Sequence, residues 1–322
     1  MTDPIPPAAR RVIAVRSGGR DVFPEWVAGF TEKNPAFEVL YWDDAIETPD
    51  RIDYCVVWRP PAGALARMGK LRLIFSAAAG IDHILADPLL PPHCGIVRTV
   101  VPESAQMMGE YVSLAVLSLL RDLRRIVTAQ AEARWDNFEV NRSAWETRVA
   151  MLGLGTLGRR AAEMLRALGF QVTGWSRSPK DIPGIPCHAG MDSLPDVLRA
   201  ADIVVCLLPD TPLTHHLLNA SRLALLPRGA GLVNAGRGGL VVTDDLLAAL
   251  DSGHLSGAFL DVADTEPLPA DHPIWHHPRV IQSPHLAALA SRRARAHFIA
   301  DNIGAFEAGR PVPTLYDAAR GY

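Results

Sequence analysis

Six consecutive residues, Gly153-Leu154-Gly155-Thr156-Leu157-Gly158, have the types and spacing to hold a pyrophosphate. The first glycine permits a tight strand-to-helix turn, the second lets a phosphate approach the backbone, and the third lets helix and strand pack closely. The N–H groups that open the helix, at the positive end of its dipole, then bind the anion. A G-x-G-x-x-G alone is weak evidence, so its flanks decide. An apolar run over 149–152 precedes it. Leu157, Ala161, Met164, Leu165 and Leu168 follow at helical spacing, Gly169 stands where a C-cap belongs, and Phe170, Val172 and Trp175 alternate as a second strand. A complete strand–turn–helix–strand unit of this kind predicts a dinucleotide site.

Further along, polar residues gather where buried strands stop. Apolar runs over 203–208, 231–234, 257–262 and 280–283 end respectively in Pro209, Ala235-Gly236-Arg237, Ala263-Asp264-Thr265-Glu266 and Pro284-His285. Ligands of open α/β sheets bind at the carboxyl ends of strands. Arg237, Glu266 and His285 are therefore the candidates for chemistry. Each has a plainer alternative: a cap or surface ion pair for Arg237, a loop charge for Glu266, a turn histidine for His285. Their placement at three strand ends beside one phosphate-binding turn asks for a common explanation.

The choice of dinucleotide is also written locally. An Asp or Glu about 20 residues past the first glycine accepts hydrogen bonds from the ribose hydroxyls in NAD-selective sites and repels a 2′-phosphate. Here the second strand ends Trp175-Ser176-Arg177-Ser178-Pro179-Lys180, and no carboxylate appears until Asp181. Arg177 can clamp a phosphate, Ser176 and Ser178 can donate hydroxyls, and Lys180 adds charge. NADPH is the expected cofactor, with NADH weaker. The plainer alternative leaves Arg177 and Lys180 as solvated loop charges.

The elements that must position these residues are those of a two-domain α/β protein. A chain of 322 residues is long enough for two domains with separate cores, and 48% hydrophobic with 21% charged residues suits a globular protein. A net charge of −3 argues against nucleic acid or an anionic membrane as main partner. Cys55, Cys94, Cys187 and Cys206 are scattered without metal-ligand spacing, so no metal is expected. The opening MTDPIPPAARR lacks an apolar core and does not read as a signal peptide, and the apolar stretch 111–120 is half a membrane span, so the cytoplasm is expected. Before the dinucleotide unit, strand-like runs fall at 12–15, 37–42, 54–58, 71–76 and 96–100, with helix-like stretches at 23–31 and 63–68, an alternation that predicts a parallel sheet. One long helix is expected over 102–125. The small residues of Ser76-Ala77-Ala78-Ala79-Gly80 would let a ligand touch backbone N–H groups, or they form a plain turn. Residues 126–147, with Trp135, Phe138 and Trp145 among charges, either project toward a partner chain or cover the core.

At these residues the chain resembles the D-isomer-specific 2-hydroxyacid dehydrogenase family. The resemblance runs from Leu71-Arg72-Leu73-Ile74 and Gly80-Ile81-Asp82, through the glycine turn, to Asn234-Ala235-Gly236-Arg237-Gly238, Leu260-Asp261-Val262, Glu266-Pro267 and Ser283-Pro284-His285. Within the family, Val57-Trp58-Arg59-Pro60-Pro61, Trp175-Ser176-Arg177-Ser178, Asp245 through Gly253 and the terminal Ala318-Ala319-Arg320-Gly321-Tyr322 are similar to the branch that reduces glyoxylate and hydroxypyruvate. Ala77-Ala78-Ala79-Gly80 departs from a more glycine-rich loop.

The resemblance implies two Rossmann-like, doubly wound parallel-sheet domains with a cleft between them. Residues 1–102 plus 288–322 would form a flavodoxin-like substrate domain, with the NAD(P)-binding domain, 103–287, inserted. It implies that His285 is the proton donor to a small 2-keto acid, Glu266 orients it, and Arg237 bridges the substrate's carboxylate and carbonyl oxygen. Trp58, Ala78, Ala79 and Gly80 would join Arg237 and His285 in binding substrate. Cofactor contacts would extend to Leu207, Leu208, Pro209, Thr214, Ala235, Gly236, Arg237, Asp261, His285 and Ala287. A homodimer through the cofactor domain is implied. The alternatives are a formate or phosphite dehydrogenase of the same family, or a dinucleotide-sensing, corepressor-like interaction protein. Formate enzymes of the family carry Gln where Glu266 stands, which disfavours that branch.

Overall fold

The computed structural model describes residues 10–140 and 142–318. The N-terminal residues 1–9 and the Ala319-to-Tyr322 end of the resemblance lie outside the described residues. The chain divides into two compact units, one of residues up to Glu103 together with those from Ala290 onward, the other Ser104–Leu289.

The first unit is built on five strands: β1 (Arg11–Arg16), β2 (Phe37–Tyr41), β3 (Tyr54–Val57), β4 (Leu73–Ser76) and β5 (Gly95–Val97). All pair in parallel, in the order β2-β1-β3-β4-β5. The strands read as unbroken apolar runs because helices cover both faces of a parallel sheet. Successive side chains therefore enter opposite cores: Val12 and Ala14 pack with Cys55, Val57 and Ile74, while Ile13 and Val15 pack with Tyr54, Val56 and Phe75. The second of these faces is closed by the chain's last helix, Arg292–Glu307, which contributes Ala296, Ile299, Ala300 and Ile303. That spacing is one helical face.

The second unit carries seven strands, β6 (Arg148–Leu152), β7 (Gln171–Ser176), β8 (Cys187–Ala189), β9 (Ile203–Cys206), β10 (Ala230–Asn234), β11 (Leu255–Leu260) and β12 (Val280–Gln282). Their order is β12-β11-β10-β9-β6-β7-β8, again with parallel pairing. The order reverses between β6 and β9. Ala150 and Leu152 of β6 face one core and Val149 and Met151 the other.

The doubly wound α/β class expected from the sequence is observed, and two local expectations are corrected. The long helix does not run from 102 to 125. It ends at Leu120, and a second helix begins at Leu123 after Asp122 takes a left-handed conformation, φ 48°. Aspartate tolerates that region better than most residues. The helix expected at 63–68 is a single 3-10 turn, Leu65–Arg67. Leu65 and Met68 are buried by that one turn, and Gly63 at φ 74° precludes a regular helical start. No described helix is long and apolar enough to cross a membrane.

Candidate active site

The turn after β6 forms as its sequence predicts. Gly153 has φ 106°, and a Cβ there would lie 2.6 Å from the Leu207 carbonyl oxygen, in the loop leaving β9. The turn therefore sits at the switch point of the sheet. A Cβ on Gly158 would overlap the Gly153 carbonyl, so only glycine lets the helix Thr156–Ala167 begin so close to its strand. At Gly155 nothing lies within 4 Å of where a Cβ would be, although φ is an ordinary −71°. The sequence spends a glycine where the protein itself needs none. That open space over a helix N-terminus is what a pyrophosphate requires.

The end of β7 presents Arg177, Ser178 and Lys180, all exposed. Its other two expected cofactor residues are occupied elsewhere. Trp175 is buried in the core, with its indole Nε1 donating to the Gly190 carbonyl at 2.9 Å. Ser176 is buried, and its hydroxyl donates to the Ser178 carbonyl at 2.8 Å, shaping the turn instead of reaching outward. No carboxylate occurs between Ser176 and Lys180, so this edge suits a phosphate better than bare ribose hydroxyls. Across the switch point, the Thr214 hydroxyl closes the turn after β9 by donating to the Pro209 carbonyl at 2.6 Å. Leu208 packs in the core, and Leu207 is half-buried beside it.

Arg237, Glu266 and His285 leave the carboxyl ends of three adjacent strands, β10, β11 and β12. The imidazole Nδ1 of His285 lies 2.9 Å from Glu266 Oε2, and the other carboxylate oxygen accepts from the Ala263 N–H at 3.2 Å. Glu266 is thereby fixed from behind while it fixes the ring. Arg237 follows Asn234, whose side chain ties down the turn: its amide donates to the Arg237 carbonyl at 2.9 Å and its oxygen accepts from the Gly236 N–H at 3.1 Å. Arg237 Nη1 donates to the Gly236 carbonyl at 2.7 Å. The Arg237 loop and the Glu266 loop touch directly. A Cβ on Gly238 would overlap the Ala263 carbonyl and the Asp264 nitrogen, so glycine is required for their contact.

His285 itself has φ 53°, a conformation that costs a non-glycine residue about 1 kcal/mol or more. The surroundings hold it there. Its N–H donates to the Asp261 carbonyl at 2.7 Å, and the next two amides, Leu286 and Ala287, donate to the two carboxylate oxygens of Asp261 at 2.9 Å each. The Ser283 hydroxyl donates to Asp261 at 2.7 Å and lies 2.6 Å from the Tyr111 hydroxyl. Asp261, expected as a cofactor contact, is buried and braces the histidine loop with its carboxylate. Ser283 and Tyr111 were not foreseen in this role. They are 172 residues apart, and no local spacing could have joined them.

In the first unit, the expected substrate residues form their own cluster. Trp58 follows β3 and Ala78-Ala79-Gly80 follow the neighbouring β4. His83 links the two loops. Its ring lies 4.4 Å from the Trp58 ring, its Nδ1 accepts from the Arg59 N–H at 3.1 Å, and its Nε2 is 3.2 Å from the Ser76 hydroxyl.

An oriented imidazole and a dinucleotide turn along one sheet edge place the chain among the dinucleotide-dependent oxidoreductases. Comparison with known proteins narrows the class. The family description "D-isomer specific 2-hydroxyacid dehydrogenase, NAD binding domain" matches residues 113–287. Glyoxylate/hydroxypyruvate reductase A of Serratia proteamaculans (strain 568) is 39% identical over 303 residues, 92% of this chain and 96% of that protein. Among solved structures, a D-isomer specific 2-hydroxyacid dehydrogenase from Xanthobacter autotrophicus Py2, in complex with NADPH and MES, superposes with a TM-score of 0.91 at 39% identity, covering 98% of this chain and 100% of that one. An NADPH-dependent glyoxylate/hydroxypyruvate reductase from Sinorhizobium meliloti, in complex with NADP and sulfate, gives 0.89 at 35% identity, covering 97% and 100%. The chain belongs to the D-isomer specific 2-hydroxyacid dehydrogenase family.

Proposed function

We propose that this protein is an NADPH-dependent reductase of small 2-keto acids, converting glyoxylate to glycolate and hydroxypyruvate to D-glycerate. The observation that carries the chemistry is the 2.9 Å bond between His285 and Glu266 on the strand edge that also bears Arg237 and the glycine turn. Reducing a keto acid requires hydride at the carbonyl carbon and a proton on its oxygen. The reduced nicotinamide supplies the hydride when bound. Gly153 through Gly158 would hold the pyrophosphate, and Arg177, Ser178 and Lys180 the 2′-phosphate. His285 gives the proton from Nε2, because Nδ1 is held by Glu266, which fixes the orientation of the ring. Arg237 offers two parallel donors to the carboxylate and the carbonyl oxygen, where negative charge grows in the transition state. The Ala79 and Gly80 amides take the carboxylate, and Trp58 limits the size of the substrate.

The chain acts as a homodimer through its cofactor-binding unit. Supporting this, Trp135 is 97% and Trp145 73% exposed, although tryptophan is on average highly buried in folded chains, and Ile126 and Val127 of the same segment are exposed too. Four free cysteines suit the reducing cytoplasm.

Glyoxylate, hydroxypyruvate, formate and phosphite assayed in parallel with both cofactors test the proposal. We expect kcat/KM with glyoxylate to be at least ~10-fold higher for NADPH than for NADH, a difference of about 1.4 kcal/mol. Arg177→Ala should erase most of it, and His285→Ala should cut kcat by at least ~10²-fold. Turnover of formate or phosphite but not of the keto acids would overturn the substrate class. Equal use of the two cofactors would overturn the phosphate site.

A further inference from the structure

The loop Ser76-Ala77-Ala78-Ala79-Gly80 is held in an unusual way: every one of its five carbonyls accepts a hydrogen bond. Ser76 O accepts from the Thr99 hydroxyl at 2.6 Å, and Ala78 O from the Thr99 N–H at 3.1 Å. Ala77 O accepts from Arg295 Nη1 at 3.0 Å, Ala79 O from Arg98 Nε at 2.8 Å, and Gly80 O from the Ser76 hydroxyl at 2.6 Å. Two of the five donors are guanidiniums. Arg295 comes from the last helix, is only 6% exposed, and lies over the Trp26 ring at 4.9 Å. Burying a charge is costly, and a plain surface turn gives no reason for it.

The peptide group supplies the reason. In a trans peptide the carbonyl of one residue and the N–H of the next point in opposite directions. A donor that pins the Ala79 carbonyl therefore aims the Gly80 N–H the other way, and one that pins the Ala78 carbonyl aims the Ala79 N–H. Among the described residues neither of these two amides has a partner, whereas the Ala77 N–H donates to Val57 O and the Ala78 N–H to the Ser76 hydroxyl. A cation bonded to the Ala79 carbonyl also polarises that peptide and makes its N–H a stronger donor to an anion.

We propose that Arg98 and Arg295 are positioning residues: they hold the loop by its carbonyls so that the Ala79 and Gly80 amides are presented to the substrate's carboxylate. This rests on the keto-acid reductase function proposed above. Arg98 sets the Gly80 amide directly. Arg295 sets the Ala78 amide, and through it the Ser76 turn that carries the other two. Neither arginine touches the substrate.

The test is steady-state kinetics of Arg98→Met and Arg98→Lys in the full-length protein, with oxalate as a carboxylate-bearing inhibitor. Arg98→Met should raise KM for glyoxylate about 10-fold, the loss expected for one charge-assisted hydrogen bond, and weaken oxalate inhibition by the same factor. KM for NADPH should stay within about twofold, and Arg98→Lys should recover part of the loss, because an ammonium can still reach the carbonyl. Arg295→Met should act in the same direction, with a lower melting temperature from the emptied buried site; Arg98 keeps the test decisive if that variant does not fold. If the wild type reduces glyoxylate but Arg98→Met leaves both its KM and oxalate inhibition unchanged, the positioning role is wrong and the proposed function stands. If Arg98→Met shifts the NADPH and glyoxylate KM values together, the arginine is merely structural and the proposal fails. A wild type that reduces no keto acid removes the function and this role with it.

Discussion

Two glycines three residues apart in one turn should fail in opposite ways when replaced by alanine. At Gly155 the backbone is extended with φ −71°, and a Cβ would meet nothing within 4 Å. The only folding cost of Gly155→Ala is a poorer helix start, at most about 1 kcal/mol. In a unit spanning Ser104–Leu289 that lowers the melting temperature by no more than about 2–4 °C. At Gly158 the Cβ would fall inside the Gly153 carbonyl oxygen, and backbone on both sides must yield by more than about 1 Å. Overpacking of that kind costs about 3 kcal/mol or more, hence a fall of roughly 6–12 °C. The order reverses for cofactor. The Gly155 methyl would occupy the path of the pyrophosphate, so KM for NADPH should rise by at least ~10-fold, about 1.4 kcal/mol. KM for glyoxylate at saturating NADPH should hardly move. Differential scanning fluorimetry and cofactor titrations on the two variants, with Gly304→Ala as a control where a Cβ also meets nothing, give both readouts. If Gly155→Ala proves as unstable as Gly158→Ala, or if it binds NADPH normally, the open space over that helix is not the phosphate site.

Two further variants probe the scaffold. Gly238→Ala must separate the Arg237 loop from Ala263 and Asp264, three and two residues before Glu266, and a displacement near 1 Å should cost about 10²-fold in kcat. A variant with near-normal kcat would show that the contact of these loops is irrelevant to the chemistry. Asp202 is bonded by the Arg148 side chain and backbone N–H and by Arg142 at 2.7–3.0 Å. Burial alone would raise its pKa, but the hydrogen bonds from Arg148 and then Arg142 bring it down to about 2. Because the folded value lies below the ordinary 3.8, the stabilisation is complete above about pH 4 and is lost as pH falls toward 2. The shift corresponds to ~2.4 kcal/mol, or ~1–2 kcal/mol once solvent screening of the half-exposed arginines is allowed for. Urea unfolding should show Asp202→Asn weaker than wild type by that amount at pH 7 and indistinguishable from it near pH 2. Equal stability at pH 7 would refute the assignment.

The sequence by itself determined eleven of the twelve described strands, all but β8, together with the glycine turn, and it singled out Arg237, Glu266 and His285 as candidates. Buried parallel strands must be apolar on both faces, so β6, β9, β10 and β11 announce themselves as short greasy runs, and the polar residues that follow mark the ligand edge. Of the three glycines at fixed spacing, Gly153 and Gly158 have steric reasons within the protein, and Gly155 leaves open space. Local pattern was weakest where the backbone had a choice: Asp122 breaks a helix that periodicity would continue, and the single turn at Leu65–Arg67 imitates a longer one. Pattern could not show that the Trp175 and Ser176 side chains are buried and bonded to the Gly190 and Ser178 carbonyls.

What only the tertiary structure decided is how the candidate groups are held. Asp261, Ser283 and Tyr111 converge to keep His285 in a left-handed conformation. Arg98 and Arg295 reach one short loop from sequence separations of 19 and 218 residues. Hydrogen bonds of this sort depend on direction and distance across the fold, and neither is encoded in the spacing of residues along the chain. Side-chain chemistry is local and can be read in order; orientation is a property of everything packed around it.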